Sequence, residues 1–261
     1  MPFLKRIHCP TPLDNSRFPL SLPFVSNLCE KDITSDILFL VGENGSGKSS
    51  LLESLAIASK RISVGDSSLD QDPTLAEIRP LAQQLRLGWS RRTGKGFFLR
   101  AEDFFNFIRR NKKLEETFDE YIDHFKDDDR VRGYMEGNKR AINARYGRDL
   151  NDFSHGEGFL EFIKSRIHPG GLYLIDEPEA ALSPQRQLAF AFFIREMALQ
   201  NCQFIIATHS PIILSVPDTE IWEFDEYGLQ PTSYDQLAHV SFTKSFLDAP
   251  HRYWQQLSQE G

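Results

Sequence analysis

The chain has 261 residues, a formal net charge of −7 and a pI near 5.5, which suits one α/β core or a core with a smaller lobe and argues against a protein that coats nucleic acid over its whole surface. With 40% hydrophobic, 12% aromatic and 26% charged residues, a largely disordered chain is excluded. The longest clean apolar runs, such as residues 37–41, fall short of the ~18–20 residues of a bilayer helix, and the N-terminal MPFLKRIHCP has no signal-peptide core, so no direct membrane insertion and a cytoplasmic location are expected.

Residues 1–35 carry short extended stretches at 3–7 and 19–25, broken by Pro2, Pro10, Pro12, Pro19 and Pro23. This predicts antiparallel edge strands and turns near the N-terminus. Residues 37–41 (Ile-Leu-Phe-Leu-Val) predict a buried strand, followed by a glycine-rich stretch and a helix on which Leu51, Leu52, Leu55 and Ala58 share a face. Residues 100–150 hold 12 Lys/Arg and 12 Asp/Glu, with Phe104, Phe107, Ile108, Leu114, Phe118, Tyr121, Ile122 and Phe125 at helical intervals. A helical lobe with solvated faces follows from that pattern. Strands are then expected at 172–175, 204–208 and 221–224, with helices at 184–199 and near 253–257. Such alternation predicts an α/β fold whose mainly parallel sheet is covered by helices. The expected organisation is a core of residues 1–99 and 168–261, with a helical lobe at 100–167. No repeat is present, and the three widely spaced cysteines, Cys9, Cys29 and Cys202, encode neither a zinc site nor a disulfide framework.

The chemistry concentrates in a few places. Gly42-Glu43-Asn44-Gly45-Ser46-Gly47-Lys48-Ser49 matches G-x-x-x-x-G-K-[ST] in full. Its glycines let backbone N–H groups turn inward on a phosphate chain, at the positive end of the helix that begins there. Lys48 is placed to neutralise β- and γ-phosphate oxygens and Ser49 to ligate Mg²⁺. Asn44, Gly45, Ser46, Gly47, Lys48, Ser49 and Ser50 are therefore the candidate contacts to ATP. Residues 172–175 run into Asp176-Glu177-Pro178, which would emerge at the carboxyl edge of the sheet. There Asp176 can hold magnesium and Glu177 can orient or deprotonate the attacking water. Ser154, Gly156 and Glu157, in Phe153-Ser154-His155-Gly156-Glu157-Gly158, open a further helix; the turn reads either as an anion site or as a capping box. Residues 204–208 end in His209, either a phosphate contact or an ordinary strand-end histidine.

In that order these motifs resemble an ATP-binding-cassette ATPase, over residues 36–225. The resemblance implies a P-loop NTPase fold, ATP and Mg²⁺ as cofactors, Glu177, Lys48 and His209 as catalytic residues, and a signature turn at Ser154 that serves the γ-phosphate held by a second copy. Its dimer-contacting loop corresponds to Glu179-Ala180-Ala181-Leu182-Ser183, with Ser183 where an Asp is usual. Where the family carries a glutamine after a strand, this chain offers Glu102 or Arg100 following Phe97-Phe98-Leu99; Glu102 is a candidate contact to magnesium or water, and equally a solvated helix start. The Ser-His-Gly-Glu signature is more similar to the soluble chromosome-maintenance and recombination branch, and to small bacterial AAA-family ATPases, than to transporter subunits.

Three functions are expected in order: an ATP hydrolase closing as an ATP-dependent homodimer and moving a partner or DNA; a transporter's nucleotide-binding subunit; or an ATP-switched DNA- or protein-binding module. For the last, Arg109-Arg110-Asn111-Lys112-Lys113 could touch phosphates or form a solvated face. The Asn-Lys-x-Asp element of GTP-specific switches is missing.

Overall fold

The computed structural model describes residues 1–10, 16–28, 30–63, 69, 72–124, 130–131, 133–137 and 155–259. In chain order the strands are β1 (Leu4–His8), β2 (Lys31–Asp32), β3 (Ile37–Gly42), β4 (Ile62–Ser63), β5 (Arg86–Trp89), β6 (Phe97–Arg100), β7 (Leu172–Asp176), β8 (Gln203–Ala207), β9 (Glu220–Asp225) and β10 (Gly228–Thr232). The helices are α1 (Pro23–Ser26), α2 (Lys48–Ala58), α3 (Arg79–Gln84), α4 (Ala101–His124), α5 (His155–Arg166), α6 (Pro184–Leu199), α7 (Pro211–Leu214), α8 (Ala238–Asp248) and α9 (Pro250–Gln259).

Two sheets result. The larger has seven strands in the order β10-β9-β3-β8-β7-β6-β4, parallel throughout except for β10 against β9. The smaller is antiparallel, in the order β2-β1-β5. Every residue of β7 and β8 is buried, as are the first five of β3, which is why these segments read as continuous apolar runs rather than alternating ones. Their side chains still alternate between faces. Phe39, Val41, Tyr173, Ile175, Phe204 and Ile206 meet α5 and α6 on one side, where the Tyr173 ring stacks on Phe204 at 5.5 Å. Leu38, Leu40, Leu172, Leu174 and Ile205 meet α2 and the N-terminal sheet on the other. Each such side chain contributes about 1.5–3 kcal/mol when fully buried.

The two sheets are joined by Gln203. Its buried amide accepts from the Leu4 N–H at 2.8 Å and donates to the Leu4 carbonyl at 2.9 Å, so the side chain stands in for a strand partner. The root of the expected lobe is packed rather than solvated: Phe104 on α4 sits edge-on to Phe159 at 5.0 Å and tilted on Phe162 at 5.4 Å, both on α5. Farther out on α4, Tyr121 is exposed. Two expectations need correcting. The stretch 19–25 does not continue as a strand; Pro23 opens the short helix α1, because Phe24 must turn inward to pack edge-on against Phe224 at 5.2 Å. The helix α8, with only Val240 buried, precedes the expected terminal helix. Among the described residues no helix is long and apolar enough to cross a membrane.

Candidate nucleotide site

The parallel register gathers the functional residues at one edge. Gly42 pairs with Phe224, Leu40 with Ala207, Ala207 with Asp176, and Asp176 with Arg100. The carboxyl ends of β9, β3, β8, β7 and β6 therefore form one row, and the glycine loop leaves from its middle.

Gly45 and Gly47 have φ of 81° and 100°, a left-handed conformation that side chains disfavour. At Gly47 a Cβ would also lie 2.5 Å from Cε1 of Phe24. The loop thus needs a glycine there twice over, for its backbone angle and for the ring beneath it. Lys48 opens α2, and its ammonium donates to the carbonyls of Gly42 at 2.8 Å and Glu43 at 3.0 Å. Burial lowers the proton affinity of this amine, while the charges of Glu177, Asp176 and Glu179 raise it.

Beside it, Ser49 Oγ donates to Asp176 Oδ1 at 3.3 Å. Burial pushes the Asp176 carboxyl up to about 7; the Glu177 charge adds to this, and the Ser49 hydrogen bond, Arg100 and Lys48 oppose it. A hydroxyl and a carboxylate are hard oxygen donors of the kind magnesium takes, together with phosphate oxygens. Among the described residues no group of three or more His, Cys, Asp or Glu is arranged to hold a metal ion; Ser49 and Asp176 would be the protein's donors to a cation here. Glu177 is half-buried and sits at φ 47°, ψ 52°, with its N–H donating to the Ala207 carbonyl at 2.9 Å. A non-glycine residue held in this conformation costs on the order of 1–3 kcal/mol and marks a place where side-chain direction matters.

His209 follows β8. Its backbone N–H donates to Glu179 Oε1 at 2.5 Å, and Thr208 Oγ1 donates to Glu179 Oε2 at 2.8 Å. Burial lowers the imidazole's proton affinity, Lys48 lowers it further, and Glu177 raises it. Its Nε2 is buried without a hydrogen-bond partner, as is Ser46 Oγ. Both residues line a cleft of ≈ 670 Å³ with Gly42, Asn44 and Gly45. Two orphaned polar atoms beside a glycine loop fit an oxygen-rich group such as a phosphate chain.

Lys48, Ser49, Asp176, Glu177 and His209 are thus brought together, with Asn44, Gly45, Ser46 and Gly47 in the loop and half-buried Ser50 on α2. Glu102 stands apart: its side chain is 75% exposed and pairs with Arg100 at 3.8 Å. Arg100 itself is buried among Glu53 at 3.5 Å, Asp72 at 3.5 Å and Asp103 at 3.4 Å. Gly156 and Glu157 fall in the first turn of α5, Ser154 lies outside the described residues, and the basic run at 109–113 lies on α4. Sequence reasoning passed over the clamp by Glu179, the placement of Glu53, and Glu223, Asp225 and His239 in the cleft wall; the acid within Pro178-Glu179 was the only local signal for the first of these.

A parallel sheet whose central strand β3 runs through this loop into a helix, with β8 between it and the acid-ended β7, defines a P-loop NTPase fold. The family described as "AAA domain, putative AbiEii toxin, Type IV TA system" matches residues 69–215. More than half of the chain is covered, and the chain belongs to this AAA-domain family. No curated protein matches it in sequence. Among solved structures it is similar to cbiO1 from Clostridium perfringens, part of the ABC transporter complex cbiONQ, with a TM-score of 0.50 and 12% identity over 96% of this chain and 97% of that one. It is also similar, at a TM-score of 0.44 and 14% identity over 89% and 99% of the two chains, to the SMC head domain from Thermotoga maritima. The first likeness shows the fold alone.

Proposed function

We propose that this chain is a Mg²⁺-dependent ATPase of the ATP-binding-cassette type that closes in pairs around ATP and passes the resulting motion to a partner. The reading is supported above all by one observation: Ser49, 127 residues before Asp176 in the chain, donates to it across the sheet edge at 3.3 Å, beside Lys48 and Glu177. In this mechanism the loop N–H groups and the α2 dipole hold the phosphate chain. Lys48 exchanges its two loop carbonyls for phosphate oxygens. Ser49 and Asp176 would hold magnesium, which draws charge off the bridging oxygens when bound. Glu177 orients a water and accepts its proton, and His209 donates to the terminal phosphate. The Ser154 turn, with Gly156 and Glu157, would complete the site of a second copy, and the division into a core of 1–99 and 168–261 and a lobe of 100–167 belongs to the same reading.

The test is phosphate release from ATP with and without magnesium, paired with light scattering of the Glu177→Gln variant. Expected are magnesium-dependent hydrolysis, its loss in Lys48→Ala, and an ATP-dependent dimer of Glu177→Gln. A purified protein that neither binds nor hydrolyses ATP would overturn the ATPase reading. If Glu177→Gln remained monomeric with ATP while hydrolysis per chain stayed constant on dilution, pairing would be refuted.

A further inference from the structure

The C-terminal part of the chain reaches the glycine loop through a residue that the ATP site described above does not use. His239 lies in the first turn of α8 and lines the same cleft as Gly42, Asn44, Ser46 and His209. Among the described residues, seven buried side-chain polar atoms lack a hydrogen-bond partner. Four of them sit in or beside the Arg100 cluster, on Arg79, Arg100 and Asp103. The other three, Ser46 Oγ, His209 Nε2 and His239 Nε2, belong to residues that line this one cleft.

A buried polar atom without a partner is unfavourable, and native structures hold few of them. Three around one cleft share a remedy, an oxygen-rich group seated among them. Burial lowers the proton affinity of both imidazoles, and the nearby Lys48 ammonium lowers it further. A neutral imidazole offers one N–H, and in each histidine the orphan is Nε2. Glu43, Glu223, Asp225 and Glu226 also line the cleft, so an anion is favoured only where the imidazoles and the Lys48 ammonium face it. The first part of the glycine loop, Gly42 to Ser46, lines the cleft, and the ammonium of Lys48, which bonds the Gly42 and Glu43 carbonyls there, serves the terminal phosphates of a bound triphosphate.

We propose that His239 donates from Nε2 to the terminal phosphoryl oxygens of the nucleotide, as a second imidazole beside His209. The segment after β10 is then part of the nucleotide site, and α8 registers whether a third phosphate is present. This deepens the ATP-site reading and rests on it.

The test uses the full chain, magnesium, and two probes: ADP and the non-hydrolysable β,γ-imido analogue of ATP. Binding is measured by titration calorimetry for wild type, His239→Asn and His239→Gln, with circular dichroism and thermal unfolding as checks on the fold. His239→Asn removes the donor at the Nε2 position and is expected to weaken analogue binding on the order of tenfold while leaving ADP binding unchanged. His239→Gln, whose amide nitrogen reaches that position, is expected to keep most of the affinity. In nitrogen-15 NMR the His239 Nε2 resonance should move on adding the analogue and not on adding ADP. Unchanged analogue affinity in a folded His239→Asn, or equal losses for both probes, would overturn the inference while leaving the ATP site intact. Failure of the wild type to bind either probe would overturn the ATP-site reading, and the inference with it.

Discussion

Glu179 holds the backbone N–H of His209 through Oε1 at 2.5 Å, while its other oxygen accepts from Thr208 Oγ1 at 2.8 Å. The carboxylate belongs to the short 3₁₀ turn Pro178–Ala181, directly after Glu177. The histidine and the acid are thereby mounted on one bracket, although they come from different strand ends.

Removing that bracket should separate position from binding. Glu179→Ala leaves a backbone N–H and a buried hydroxyl without their acceptor, costing about 2–3 kcal/mol, or roughly 5–10 °C in Tm for a chain of this size. kcat for ATP hydrolysis should fall by at least tenfold while nucleotide affinity changes by less than threefold. Glu179→Gln keeps one carbonyl acceptor and should lose less than half as much stability. Differential scanning calorimetry and steady-state kinetics on both variants check this; a kcat in Glu179→Ala equal to wild type would refute the bracket.

Asp176 and Glu53 make stability depend on pH. Burial is the main cause in both, and both carboxyls are pushed up to about 7 from ordinary values of 3.8 and 4.5. A carboxyl raised in the folded state favours folding fully below its unfolded pKa, and that contribution is lost as pH rises through the folded value. In chelator, stability should therefore fall between about pH 4 and pH 7 by a few kcal/mol from these two groups. Asp176→Asn should flatten the slope and be the more stable protein at pH 8. Magnesium with ATP should reverse the trend, because a bound cation takes the ionised carboxylate, and its affinity should rise through about pH 7. Urea titrations across pH, with chelator and with Mg-ATP, measure both.

Arg100 is the cation for several carboxylates. Its guanidinium lies over the Phe98 ring at 5.5 Å and within 3.5 Å of Glu53, Asp72 and Asp103, with its side chain 12% exposed. Arg100→Met should cost about 3–5 kcal/mol at pH 8, since it leaves buried charge uncompensated. The loss should shrink toward pH 5 as Glu53, pushed up to about 7 by its burial, takes up a proton. Adding Glu53→Gln should recover part of it at pH 8 and almost none at pH 5. Urea midpoints of the single and double variants at the two pH values test the coupling.

Much of the fold was legible because its central strands are buried on both faces. Such strands leave continuous apolar runs, and β3, β7 and β8 each begin and end within a residue or two of theirs. The mainly parallel sheet followed from strands alternating with helices. By contrast α8 was missed, since a helix with a single buried residue, Val240, carries little apolar stripe to read. The stretch 19–25 departs from expectation because Pro and β-prone residues suit a turn and an edge strand equally well, and the deciding contact, Phe24 against Phe224, joins residues 200 positions apart.

The glycine loop, Lys48 and Ser49 could be named from eight contiguous residues, because the chemistry of a phosphate cradle is local: backbone angles and one helix start supply it. Asp176, Glu177 and His209 could be named as strand-end polar residues, each from its own short run. Which of them meet is another matter. Ser49 finds Asp176, Glu179 finds His209, Arg100 finds Glu53, and His239 enters the loop's cleft only because parallel register and packing bring distant segments to one edge. Short-range preferences are written in neighbouring residues, whereas these meetings depend on how whole faces of sheet and helix bury one another, and no window along the chain contains that.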